Sequence, residues 1–195
     1  MQNKTDAEFF KLAPEVCCGS STADASEVET REAQITKKVL NIDLIVIDLS
    51  TCKRCVPTGN QLNHAIKLLG PVADVLGIEL KHQEIVVQTP QEAKNHALLS
   101  SPTIRINGHD IAQDIRESPC ESCGDLTNSN TMVDCREWHY RDKVYFAAPL
   151  PLLVEAIMGA MLNIDAPLIV PAPITELPAN LQRYFDNKRQ TESCC

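Results

Sequence analysis

Ile42-Asp-Leu-Ile-Val-Ile-Asp-Leu49, followed at once by Ser50-Thr51-Cys52-Lys53-Arg54-Cys55, is the stretch on which the fold turns. The first eight residues are rich in β-branched side chains and are bounded by Asn41 and Ser50-Thr51, which predicts a buried strand. Beyond the two cysteines the period changes. Leu62, Ala65, Ile66, Leu69, Ala73 and Leu76 fall on one face of a helix, with a kink expected at Gly70-Pro71 and an end at Gly77. The Cys-x-x-Cys pair therefore stands at a strand-to-helix junction.

The pattern continues outward. Ile78 to Val87 alternates as a second strand, and Thr89-Pro90 opens a short helix through Leu99, with Pro90 suited to its first turn. Asn107-Gly108 lies between two alternating runs, 101–106 and 109–113, and predicts a hairpin because both turn positions need positive φ. Residues 117–130 read as a polar loop holding Cys120 and Cys123. A further hairpin is expected around Arg141-Asp142-Lys143. Pro151 begins a helix to about Leu162, and Leu181, Tyr184 and Phe185 predict a last short helix docked by its apolar face.

This order of elements resembles the thioredoxin superfamily over residues 40–163. The local features that carry the resemblance are Cys52-Lys53-Arg54-Cys55 at the start of a helix and Ser101-Pro102-Thr103 at the start of the third strand. More closely, the pattern resembles an uncharacterised thioredoxin-like family with Cys-rich extensions. The resemblance implies an α/β fold with a mixed sheet flanked by helices, and a cis-proline at Pro102 beside the dithiol. The chain departs from thioredoxin itself: no Trp precedes the dithiol, no Gly-Pro lies within it, and residues 114–147 form an insertion. The expected organisation is an arm over 1–37, a thioredoxin-like domain over 38–163 and a Pro-rich tail over 164–195.

The nine cysteines direct the functional reading. At a helix N-terminus, unpaired N–H groups and the dipole stabilise a thiolate, and Lys53 and Arg54 add positive charge. Cys52 is therefore expected to be the nucleophile and Cys55 the resolving thiol, with Ser101 offering a backbone edge to an extended substrate. The alternative is that this pair is half of a zinc site. Cys120, Cys123, Cys135 and His139 spell C-x₂-C-x₁₁-C-x₃-H, a spacing compatible with zinc. A redox relay to the first pair, or an unliganded loop, are the other readings. Cys17-Cys18 and Cys194-Cys195 are adjacent pairs, better suited to soft-metal ligation than to a strained vicinal disulfide. They resemble the C-terminal pair of mercuric reductases and the paired cysteines of arsenic metallochaperones; incidental tail cysteines are the plainer reading. His64 and His96 read as solvated or capping residues, Trp138-His139-Tyr140 as sheet packing, and either Asp43 or Asp48 could be the acid that thioredoxins bury.

Two functions follow: a thiol–disulfide oxidoreductase using Cys52 and Cys55, or a carrier of a soft metal or metalloid such as arsenic or mercury. The partners expected are protein thiols and disulfides or a soft ion, with zinc or a soft metal as the cofactors to consider. A formal net charge of −8 provides no basic field for nucleic acid or an anionic membrane. Met1 to Leu12 lacks the apolar segment of a signal peptide, and the apolar stretch 145–162 is broken by Pro149, Pro151, Glu155 and Gly159, so a cytoplasmic setting is expected.

Overall fold

The computed structural model describes residues 37–112, 114–121 and 133–192. The chain runs β1 (Lys38–Val46), α1 (Cys55–Val75), β2 (Ile78–Val86), α2 (Pro90–Asn95), β3 (Thr103–Ile106), β4 (His109–Asp110), β5 (Arg116–Cys120), β6 (Val133–Tyr140), β7 (Lys143–Tyr145), α3 (Leu150–Leu162) and α4 (Ala179–Glu192). It is a mixed α/β fold. One sheet has the order β2-β1-β3-β4, with β1 and β2 parallel and the β1–β3 and β3–β4 pairs antiparallel; a second has the order β5-β6-β7.

Leu40, Ile42 and Leu44 are fully buried on one face of β1. A methyl group added at Gly59 would touch Leu44, which places α1 against this face, and α3 packs beside α1. The other face of β1 presents Asn41, Asp43 and Ile45 to a cleft of about 330 Å³, whose lining also includes His96, Arg105 and residues 168–171. Burial raises the Asp43 carboxyl above its usual range, with Arg105 opposing it.

Local chemistry explains most boundaries. Thr89 caps α2 by accepting the Glu92 N–H at 3.2 Å, and the Glu92 carboxylate accepts the Gln88 N–H at 2.7 Å. Asn107 and Gly108 take φ of 48° and 82°, and Arg141 and Asp142 take 46° and 60°, so both hairpins form, the second with Lys143 in the strand rather than in the turn. Leu181, Tyr184 and Phe185 are buried, as the docked last helix requires.

Four expectations need correction. α2 ends at Asn95, short of Leu99. α1 ends at Val75, leaving Leu76 at the C-cap and half exposed rather than on the buried face. β1 ends at Val46, and residues 48–51 form a tight loop. The segment read as a polar loop from 117 contains β5, and Cys120 is buried within that strand. β5 is an edge strand, where Pro119 is tolerated because its missing N–H faces away from the ladder.

Candidate functional site

The end of β1 and the start of α1 deliver the dithiol. Asp48 shapes the loop between them: its carboxylate accepts the N–H groups of Ser50, Thr51 and Cys52 at 3.2, 2.8 and 2.7 Å, and the Ser50 hydroxyl at 2.7 Å. Burial pushes the Asp48 carboxyl up, but these hydrogen bonds outweigh it and hold the group below its usual range. Asp48 thus organises the turn, whereas Asp43 lies on the other face.

Helix α1 formally starts at Cys55, with Arg54 as N-cap, so Cys52 precedes its first turn. Its hydrogen bonds are nevertheless those of a cap. The Cys52 carbonyl accepts the Val56 N–H at 3.1 Å, and its Sγ accepts the Cys55 N–H at 3.3 Å. The two sulfurs are neighbours and are not joined in a disulfide. The Cys55 thiol is held well above the ordinary range, first by its hydrogen bond to Cys52, then by burial and by charge on Cys52; Ser101 opposes this.

Ser101 is the hub of the site. Its hydroxyl accepts the Ile47 N–H at 3.2 Å and lies 3.5 Å from Cys55 Sγ. The Ser101–Pro102 peptide is cis, as expected. The Ser101 carbonyl accepts the N–H of Arg136 on β6 at 3.0 Å. The backbone edge anticipated for a substrate is therefore occupied by the protein's own strand.

Arg54 differs from expectation. Instead of lending its charge to the thiol, the guanidinium turns into the β5–β6 hairpin. It donates to the carbonyls of Cys135, Arg136 and Pro119 at 2.9, 3.3 and 2.8 Å and to the Ser118 hydroxyl at 2.9 Å, and it stacks on Phe146. The Cys135 and Arg136 carbonyls have left water and need donors, which the planar five-donor fork supplies. Arg136, fully buried, ties β6 to β4 through a bidentate pair with Asp110 at 3.0 and 2.7 Å, and reaches Thr103 at 3.2 Å. Under this cover Cys52 and Cys55 are both 0 % exposed. Spacing gave no signal for these arginine clasps, which join residues more than 25 positions apart in the chain.

The expected zinc set does not converge. Cys135 and His139 lie four residues apart on the extended strand β6, about 13 Å at the usual rise, so they cannot share one ion. Cys135 is buried, whereas His139 is partly exposed and pairs with Glu137 at 3.4 Å. Cys120 and Cys135 share one face of the β5–β6 pair, since Cys120 is opposite Val133 and Ser118 opposite Cys135. Among the described residues no three His, Cys, Asp or Glu side chains are gathered as a metal site requires. Cys123, Cys17, Cys18, Cys194 and Cys195 lie outside the described residues. His64 is exposed on α1, and His96 caps the end of α2 with its backbone. Trp138 is fully buried, in keeping with sheet packing.

Comparison with known proteins yields one match: the model of a domain of unknown function, DUF2703, covers residues 40–157, more than half of the chain. No curated protein and no solved structure matches. Among the described residues no helix is long and apolar enough to cross a membrane.

Proposed function

The chain belongs to the DUF2703 family, and from that premise we propose that it is a thioredoxin-like thiol–disulfide oxidoreductase working through Cys52 and Cys55. The fold assignment rests on a parallel β1-α1-β2 half joined to an antiparallel β3-β4 half in the order β2-β1-β3-β4, with the dithiol at the head of α1 and Ser101–Pro102 beside it. The observation that carries the function is the asymmetry of the pair. Cys55 is held above the ordinary thiol range by its hydrogen bond to Cys52 and by burial, while Cys52 Sγ accepts the Cys55 N–H at 3.3 Å, which suits Cys52 to be the attacking thiolate.

The chemistry follows from that asymmetry. The Cys52 thiolate attacks one sulfur of a substrate disulfide; that bond breaks, and the departing thiolate takes up a proton. Cys52 is then a neutral mixed disulfide. The hydrogen bond and charge that held the Cys55 proton are gone, while Ser101 remains to stabilise the Cys55 thiolate. Cys55 attacks the Cys52 sulfur, releases the second substrate thiolate and closes the Cys52–Cys55 disulfide.

The test is a pair of variants assayed for reduction of a protein disulfide with a thiol reductant as electron source. Cys52→Ser should abolish turnover. Cys55→Ser should stop after one step and accumulate a mixed disulfide at Cys52, visible as an added substrate mass that a reductant removes. Turnover that survives in Cys52→Ser, or a Cys55→Ser protein that captures nothing, would reject the reading.

A further inference from the structure

The dithiol is completely buried, so an external disulfide cannot reach it while the β5–β6 hairpin is in place. What covers it resembles a bound substrate in three respects. β6 is extended. It donates the Arg136 N–H to the Ser101 carbonyl, the edge a substrate strand would use. And the residue beside that hydrogen bond is a cysteine.

We infer that Cys135 is a third exchange thiol, presented to the dithiol by the hairpin in the manner of a substrate carried on the same chain. Two contacts bracket it. Its own carbonyl accepts from Arg54, the residue immediately before Cys55, at 2.9 Å. The next residue is held by Ser101, whose hydroxyl lies 3.5 Å from Cys55 Sγ. Cys135 is buried at 1 % exposure, and it shares a face of the β5–β6 pair with Ser118, whose hydroxyl accepts from Arg54 at 2.9 Å. Cys120 is two register positions further along, opposite Val133, and Arg54 donates to the carbonyl of the preceding Pro119 at 2.8 Å.

The inference rests on the oxidoreductase reading and adds one step to it. With the hairpin open, a low-molecular-weight disulfide oxidises the pair: Cys52 takes one half as a mixed disulfide, Cys55 displaces it, and two small thiols leave. When the hairpin closes, the Cys135 thiolate attacks Cys55 Sγ. The Cys52–Cys55 bond breaks, Cys52 leaves as a thiolate and takes up the proton Cys135 gave, and a Cys55–Cys135 disulfide forms. One disulfide replaces another with no net electron transfer, and Cys52 is again a free thiol.

The sequence makes the outcome readable. Trypsin cuts after Lys53, Arg54, Lys67, Arg116 and Arg136, so Cys52, Cys55 and Cys135 fall in separate peptides, 39–53, 55–67 and 117–136. The full chain is oxidised with glutathione disulfide, alkylated, digested and its linked peptides are sequenced. The expected result is a link between 55–67 and 117–136 that fragments at Cys135, is lost in Cys135→Ala and persists in Cys120→Ala. A link only between 39–53 and 55–67 would overturn the inference and leave the oxidoreductase reading standing. A link that persists in Cys135→Ala would also overturn it. No link at Cys55 of either kind would reject the oxidoreductase reading itself, and the inference with it.

Discussion

Arg54 lies between the two thiols in the sequence, yet its side chain hydrogen-bonds residues 64 to 82 positions away. Its four hydrogen bonds tie the dithiol turn directly to the hairpin that hides it, so Arg54→Ala should loosen the cover before it loosens the core. The substitution leaves the buried carbonyl of Cys135 and the part-buried one of Pro119 without their charged donor, at a cost of about 2 kcal/mol. If that falls on local opening, alkylation of Cys52 and Cys55 by iodoacetamide, read peptide by peptide, should speed up by about 30-fold. Arg54→Lys, which keeps the charge but loses the planar fork, should fall between. Unchanged alkylation in Arg54→Ala would mean that the guanidinium does not hold the hairpin. A reading of Cys-Lys-Arg-Cys by charge alone misses this role, because the partners of a buried arginine are set by which carbonyls the tertiary fold removes from water.

At the scale of elements, the β3–β4 hairpin has a second task beyond its turn. The Asn107 carbonyl accepts the Ile169 N–H at 3.0 Å, which brings the tail across the turn. Gly108 sits at a positive φ, and a Cβ there would run into the carbonyl of Ile169. Gly108→Ala should therefore cost about 2 kcal/mol or more, the strain of the turn and the displaced tail together, measured as a lower urea midpoint. A loss below about 0.5 kcal/mol would show that the tail yields without penalty. Elements with a strong local signal were legible in this way: the β-branched run of β1, the helical stripe of α1, Thr89-Pro90 before α2 and Asn107-Gly108. β5 was not, because Glu117-Ser118-Pro119-Cys120 has a proline and no apolar alternation. What makes it a strand is pairing with β6, a long-range fact. The same limit applied at the site. Cys52, Cys55, Ser101 and Pro102 were readable from local pattern, but their enclosure by Arg54, Arg136 and β6 was not. Cys135-x₃-His139 fits a zinc spacing only where the chain is helical or looped; along a strand the two positions stand about 13 Å apart.

Across the whole molecule, helix α4 is the farthest element from the dithiol in sequence and still bears on it. Leu181, Tyr184 and Phe185 are buried, with the Tyr184 and Phe185 rings edge to face at 5.2 Å. Asn180 donates to Glu117 on β5, and Arg183 pairs with Asp134 on β6 at 2.7 Å. The helix thus backs both strands of the hairpin whose other side carries Cys135. Truncating Phe185 to Ala removes a large buried ring and should cost about 3–4 kcal/mol in urea unfolding. The sharper expectation concerns where that loss appears. If α4 supports the cover more than the central sheet, alkylation of Cys52 and Cys55 in native buffer should rise by a larger factor than amide exchange of Ile42 to Val46 on β1. That difference is the signature of a unit that opens before the protein unfolds. Equal acceleration at both places would show that hairpin, helix and central sheet open as one, and that the thiols become reachable only by global unfolding. The first outcome makes the last helix part of the machinery that admits a substrate; the second would leave the hairpin a fixed wall and oblige any exchange at Cys52 to begin from inside it.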